Sequence, residues 1–356
     1  MNVRISTRNS LEKAKNILVR GTNWIGDAVM TIPAVTAIRN TFPEATISVL
    51  AKPWVAEVYR LCPAVNEIIL FHDPGSHSGI QGKIRLAGEL RTKRFDAAIL
   101  LQNAIEAAVI SFLAGIPIRA GYNSDARGFL LTHSVQRTKT IKEVHQINYY
   151  MEMVKSLGCR LAEKSVCLQP DRDFASVSGD IFRQHGIKGG IKGDRLLIGM
   201  APGATYGPAK KWFPERFAAV ADRLIDEFSA QVVLLGSGED RKSAEQVEQK
   251  SRHPLFNLSG HTNLKEAIAV MARCNLFISN DSGLMHVAGA LDVPLVAIFG
   301  STNPATTSPV GNKSIVVRKN VPCSPCLKEV CPTDFRCMDM VSIDDVYEKA
   351  RDLLTK

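Results

Sequence analysis

The run LFISNDSGLMHVAGALDVPLVAIFG, residues 276–300, constrains this chain more than any other stretch. It predicts an apolar strand (Leu276 to Ser279), a turn (Asn280 to Gly283), a helix (Leu284 to Leu291) and a second apolar strand (Leu295 to Phe299). Neither strand alternates polar with apolar residues, the pattern of a parallel sheet covered on both faces. Such a βαβ unit commits the chain to an α/β fold and places its ligands beyond the carboxyl ends of the strands. The turn Asn280 to Gly283 falls at such an end. Asp281 or Ser282 can cap the helix, Gly283 lets a ligand approach the backbone, and the free amides of the first turn suit a phosphate. His286 lies within that turn.

At 356 residues the chain exceeds what one core comfortably fills, so two domains are expected, residues 1–172 and 173–356. Charge divides unevenly between them. Residues 1–172 carry 22 basic against 14 acidic side chains, whereas the remainder carries 22 against 21. A basic first half suits an acidic partner, whether an anionic membrane surface, nucleic acid or a charged substrate, and equally suits a solvated surface. Nucleic acid lacks support, because aromatic residues are only 6% of the chain and no stacking motif accompanies the basic ones. The opening residues 1–15 read as a polar extension, not a secretory signal. The most apolar later region, Ala97 to Ile118, is broken by Gln102, Asn103, Glu106, Gly115 and Pro117 and is not expected to span a bilayer. Scattered cysteines at 62, 159, 167 and 274 read as free core thiols in a reducing cytoplasm.

In the first half, strands are expected at Ile17 to Arg20, Thr46 to Ala51, Glu67 to Phe71, Ala97 to Leu101 and Ile118 to Tyr122, with helices between them and a last helix from Lys142 to Leu157. After the first strand comes Gly21-Thr22-Asn23-Trp24-Ile25-Gly26-Asp27, then a helical pattern from Ala28 to Asn40 with a bend or fresh start at Pro33. This loop matches neither the dinucleotide fingerprint nor the P-loop. It sets Asp27 at a helix start beyond a strand end, where a capping or dipole-facing carboxylate is the plain alternative to a catalytic one. Arg119, Arg127, His133, Arg137 and Lys139 gather in loop-like sequence. A polar stretch with Gly-Lys pairs then leads out of the domain.

The second half opens with a strand, Leu196 to Ala201, and a loop from Pro202 to Trp212 that combines glycines, Thr205 and the adjacent Lys210 and Lys211. It can cradle and neutralise a diphosphate, or be a plain surface loop. Glu239 follows the strand Gln231 to Gly236, a position where acidic residues hold ribose hydroxyls or simply start helices. The tail spaces four cysteines as Cys323-x2-Cys326-x4-Cys331-x5-Cys337, which a structural Zn2+ could use, although only one CxxC knuckle is present and unligated thiols are the alternative. A helix from Ile343 to Leu354 closes the chain.

Three segments taken in order carry a family resemblance: Gly26 to Pro33 (GDAVMTIP), Pro202-Gly203-Ala204-Thr205 through Lys210-Lys211-Trp212, and Ser279 to His286 (SNDSGLMH). Together they resemble the lipopolysaccharide heptosyltransferases of glycosyltransferase family 9, most closely the heptosyltransferase II branch, over nearly the whole chain. The resemblance implies a GT-B architecture, two Rossmann-like domains with parallel sheets facing a central cleft, and an inverting transfer of L-glycero-D-manno-heptose. The donor would be ADP-heptose and the acceptor the first heptose of the lipopolysaccharide inner core. In that scheme Asp27 is the general base, Lys210 and Lys211 meet the donor diphosphate, Glu239 the ribose, Asp281 the sugar hydroxyls, and Ser282 and Gly283 the phosphates. Thr205 and His286 complete the donor pocket, while Arg119 and Arg127 are the acceptor-side candidates. No DxD-type pair stands in these loops, so no cofactor is expected for catalysis. The setting implied is the cytoplasm, peripheral to the inner leaflet of the cytoplasmic membrane. A heptosyltransferase I or another transferase of the family is the nearest rival reading, and a nucleotide-sugar epimerase a more distant one.

Overall fold

In the computed structural model, which describes residues 3–5, 11–161, 166–170, 172–191 and 193–355, the chain divides into Met1–Val166 and Cys167–Lys356. The division falls before the helix Arg172–His185 rather than after residue 172, so that helix belongs wholly to the second unit. Parts of the expected extension, 1–2 and 6–10, and Lys192 of the Gly-Lys pairs lie outside the described residues.

The first unit is built on a seven-stranded sheet: β1 (Val3–Ile5), β2 (Asn16–Arg20), β3 (Thr46–Ala51), β4 (Glu67–Leu70), β5 (Ala97–Leu100), β6 (Ile118–Tyr122) and β7 (His133–Val135), in the order β1-β7-β6-β5-β2-β3-β4. All pairs are parallel except the edge pair β1 and β7. The stretch expected as a polar extension therefore contributes a strand. His133, expected in a loop, lies on β7. Apolar residues on successive strands explain the register: Ile17, Leu18 and Val19 of β2 are fully buried between Ile47 and Val49 of β3 and Ala97 to Ile99 of β5.

The second unit holds a six-stranded, wholly parallel sheet: β8 (Leu197–Ala201), β9 (Gln231–Leu234), β10 (Phe256–Asn257), β11 (Leu276–Asn280), β12 (Leu295–Ile298) and β13 (Ser314–Val317), ordered β10-β9-β8-β11-β12-β13. Its core packs Phe217, Val220 and Leu224 of the helix Pro214–Phe228 with Trp212, Ile198, Ile278 and Tyr347 of the closing helix Ile343–Leu354. β10 and β13 were not expected from sequence, being short and only partly buried.

Both sheets change winding direction at one place. In the first unit β2 leads outward to β3 and β4, whereas β5 leads the other way to β6 and β7. In the second, β8 leads to β9 and β10, and β11 to β12 and β13. At such a switch point the loops leaving two adjacent strands diverge, opening a crevice at their carboxyl ends. The switch points are β2/β5 and β8/β11. Beyond them lie the loop that leads into the helix turn bearing Asp27 and, in the second unit, the loops carrying Lys210 and Asp281.

Candidate active site

In the first unit the loop after β2 is pinned from beneath. Arg20, at the end of β2 and 1% exposed, donates to the Gly21 carbonyl, the Leu50 carbonyl (3.3 Å) and Asn23 Oδ1 (2.9 Å). Burial holds its guanidinium down at about 10, still cationic at neutral pH, and a carbon added at Gly21 would stand 2.7 Å from the Tyr59 ring. Trp54 Nε1 donates to the Asn23 carbonyl at 2.8 Å.

These contacts fix the entry to a helix, Ile25–Thr41, which runs on through Pro33 instead of restarting there. The residue at the helix cap is Trp24, so Asp27 is not the cap; it sits in the first turn, half-buried, where the helix dipole favours a carboxylate. Tyr150, buried beside it on the helix Gln146–Ser156, is held well above the ordinary phenol value by burial, and next by the Asp27 charge.

The two acceptor-side arginines are committed elsewhere. Arg127 is fully buried, with Nε on the Tyr122 carbonyl at 2.8 Å and further donations to the carbonyls of Gln102, Ala104 and Leu100. Arg119 is half-buried and donates Nε to Leu130 O at 2.7 Å and Nη1 to Ile116 O at 2.5 Å. Both guanidiniums tie loops to the sheet, and Arg127 has no exposed surface. Cationic groups do converge near the ends of β3 and β4: Lys52 and Lys83 lie 3.0 and 2.6 Å from Asp73 Oδ2, and Lys83 lies 3.3 Å from Glu106.

In the second unit five expected donor residues, Lys210, Asp281, Ser282, Gly283 and His286, lie at the switch point. Lys210 ends a short turn of helix, Pro208–Lys210, and reaches Asp281 Oδ2 at 2.7 Å. Asp281, 4% exposed just past the end of β11, also accepts from Thr302 Oγ1 at 2.6 Å. Ser282 caps the helix Gly283–Ala290, yet no side chain takes the cap hydrogen bond; Ser282 Oγ turns to Ser279 Oγ at 3.0 Å. The helix start thus offers main-chain amides from Gly283 onward, the feature that suits an anion. His286 is buried in its first turn.

The remaining donor candidates scatter. Lys211, adjacent to Lys210 but on extended backbone, turns the opposite way and donates to Ser243 Oγ at 3.3 Å. Glu239 is exposed beyond β9, and the helix-start role weighed for it belongs to Asp240, whose Oδ2 accepts from Ser237 N and Oγ at 3.0 and 2.8 Å. A carbon added at Gly203 would stand 2.0 Å from Asp240 Oδ1, so only glycine brings that loop so close. Thr205 is exposed on the loop.

Sequence reasoning missed Asn280 and Thr302. Asn280 is fully buried; its Oδ1 accepts from Trp212 N at 3.0 Å and its Nδ2 donates to Pro202 O at 2.8 Å, which joins both ends of the donor loop to β11. It stands beside Asp281 in the motif and could have been singled out there. Thr302 lies 21 residues from Asp281 and carried no such signal.

In the cysteine-bearing tail, Cys323 is exposed, Cys326 and Cys331 are half-buried and Cys337 is buried. Burial raises the Cys337 thiol, and the neighbouring thiols of Cys323, Cys331 and Cys326 raise it further. Among the described residues no three His, Cys, Asp or Glu side chains converge to hold a metal ion. Nor, among these residues, is any helix long and apolar enough to cross a membrane.

Two units with Rossmann-like, mostly parallel sheets, each carrying polar groups at its switch point, make up the GT-B fold. The model of glycosyltransferase family 9 (heptosyltransferase) matches residues 83–335, and the chain belongs to that family. It is 33% identical to lipopolysaccharide heptosyltransferase 2 of Salmonella typhimurium, over 85% of this chain and 87% of that one. It is 31% identical to lipooligosaccharide heptosyltransferase 2 of Haemophilus influenzae, over 85% and 88%. Among solved structures it superposes on the Escherichia coli ADP-heptose lipopolysaccharide heptosyltransferase II with a TM-score of 0.79 and 30% identity, covering 96% of this chain and 98% of that one.

Proposed function

We propose that this chain moves L-glycero-D-manno-heptose from ADP-heptose to the first heptose of the lipopolysaccharide inner core. The observation that carries this reading is the Lys210–Asp281 pair at the β8/β11 switch point, beside uncapped helix amides, in a chain that resembles named heptosyltransferases 2 over most of its length. Lys210 and the amides after Ser282 would receive the ADP diphosphate, Asp281 would hold sugar hydroxyls, and Glu239 the ribose. Thr205 and His286 would line the same donor site, with Lys211, turned to Ser243, behind it.

The reaction would be a single inverting displacement. An acceptor hydroxyl oxygen bonds to the anomeric carbon from one face as the bond from that carbon to the diphosphate oxygen breaks on the other. The hydroxyl proton goes to the Asp27 carboxylate, and the charge gathering on departing ADP is met by Lys210 and the helix amides. Lys210 supplies the cation at the leaving group, so the scheme asks for no metal. The acceptor's lipid part would keep the chain peripherally at the cytoplasmic face of the inner membrane, with the basic first unit towards anionic headgroups.

The test is a transfer assay with purified protein, ADP-heptose and defined truncated cores. Transfer to a core ending in one heptose is the expected result. Preference for a core with no heptose would move the chain to the heptosyltransferase I reaction, and turnover of the nucleotide sugar without acceptor would make it an epimerase.

A further inference from the structure

The cysteine-bearing tail makes specific contacts with the donor loop. Tyr206 Oη donates to the Leu327 carbonyl at 2.8 Å, and the Ala209 amide donates to the Glu329 carbonyl at 2.9 Å. A carbon added at Gly207 (φ 157°) would stand 2.5 Å from Glu329 O, so the two backbones are in contact. The same tail is fastened at a second place: the amides of Cys326 and Leu327 donate to the Ser301 carbonyl at 3.0 and 2.9 Å, and Ser324 Oγ donates to the Gly300 carbonyl at 2.6 Å. Ser301 precedes Thr302, the hydroxyl that holds Asp281. The contacts therefore close a ring: Lys210 to Asp281, Asp281 to Thr302, Ser301 to Cys326 and Leu327, Leu327 to Tyr206, and Tyr206 along the loop to Lys210. Across the ring the Lys210 ammonium lies 4.9 Å from the centre of the Tyr206 ring.

We infer that residues 324–329 act as a strap that positions Lys210 for the donor diphosphate, with Tyr206 and Ser324 as positioning residues. A glycine-rich loop left alone samples many conformations, and each residue so freed costs entropy when a ligand must order it. Fastening the loop at Tyr206 and Ala209 removes that cost before ADP arrives. The inference rests on the donor reading above and adds to it a part of the chain that touches no catalytic group.

The test compares wild type with Tyr206→Phe and Ser324→Ala. ADP affinity is read by calorimetry, amide exchange of residues 207–210 in the ligand-free protein by mass spectrometry, and the kcat against KM split by transfer assay. Tyr206→Phe loses one hydrogen bond and Ser324→Ala two, its donation to the Gly300 carbonyl and its acceptance from Arg318 Nη2 at 3.2 Å, so ADP affinity and KM for the donor are expected to worsen about 2- to 10-fold with kcat nearly unchanged. Faster exchange at 207–210 is expected alongside. Weaker ADP binding with unchanged exchange would make Tyr206 a direct ligand contact and overturn the strap. Faster exchange with unchanged ADP affinity would leave it a structural tie and equally overturn it. Wild-type protein that binds no ADP would defeat the donor reading itself, whereas wild type and both variants binding ADP alike would defeat the strap alone.

Discussion

Lys210 Nζ lies 2.7 Å from Asp281 Oδ2, and that oxygen also takes the Thr302 hydroxyl at 2.6 Å. The lysine is thus held by a buried carboxylate. Such a pair fixes where the cation stands while leaving two ammonium protons for a ligand.

Lys210→Ala is therefore expected to act twice. It removes a charge-assisted contact to the diphosphate, weakening ADP binding by about 1.5–3 kcal/mol, and it strips a partner from a carboxylate that is nearly inaccessible to water. Calorimetry with ADP and thermal melting should both move. Unchanged ADP affinity would take Lys210 out of the site.

Arg127 illustrates the opposite case, a cation with no surface to offer. Arg127→Met is expected to lower stability by about 2–4 kcal/mol, since several buried carbonyls lose their donor together. At a temperature where the variant stays folded, KM for acceptor should match wild type. A stable variant with a raised acceptor KM would restore Arg127 to the binding site.

Asp73 gives the clearest pH signature. Hydrogen bonds from Lys83 and then Lys52 hold its carboxyl well below the usual carboxylate range. A depressed folded-state value stabilises the fold above the unfolded value, near 4, and that stability is lost as pH falls from there through the folded value. Asp73→Asn should therefore melt below wild type at pH 7, with the gap narrowing on acidification below about pH 4. A gap independent of pH would show that Asp73 acts through packing alone.

What was legible in the sequence and what was not follows the physics of each signal. β2, β5, β8, β11 and the helix Pro214–Phe228 could be read because largely apolar runs and a Pro at a helix start are local signals. β7 and β13 could not, because strands of three and four residues are too short to show a pattern and are fixed by pairing with neighbours distant in sequence. Residues of the site that sit in glycine-framed loops, Lys210 and Asp281, were recognisable for the same local reason. Their supports were not: Thr302 and the tail reach the loop only through tertiary structure. Arg127 misled because a basic residue in loop-like sequence looks exposed, whereas β5, β6 and the turn after them fold over it.

If the first unit faces an anionic surface, binding to vesicles must fall as salt rises, since screening shortens to about 8 Å at physiological ionic strength and less above it. Sedimentation with phosphatidylglycerol vesicles is expected at low salt and lost at high salt. Absence of binding at low salt would count against a peripheral membrane role.

Asp27 carries the proposed chemistry. The acceptor hydroxyl is a weak nucleophile while it keeps its proton, and a carboxylate placed against it can accept that proton as the new bond forms. The cap position belongs to Trp24, so capping is not the role of Asp27, and a carboxylate in the first turn gains about 0.3–1 kcal/mol from the helix dipole. Asp27→Asn keeps the shape and much of the hydrogen bonding but cannot accept the proton. Turnover should fall at least ~10²-fold while ADP affinity, set in the other unit, stays near wild type and the melting temperature changes little. Measuring transfer rate, ADP binding and melting on this one variant separates the roles: a slightly destabilised but active enzyme would show that Asp27 serves the helix and that the base lies elsewhere.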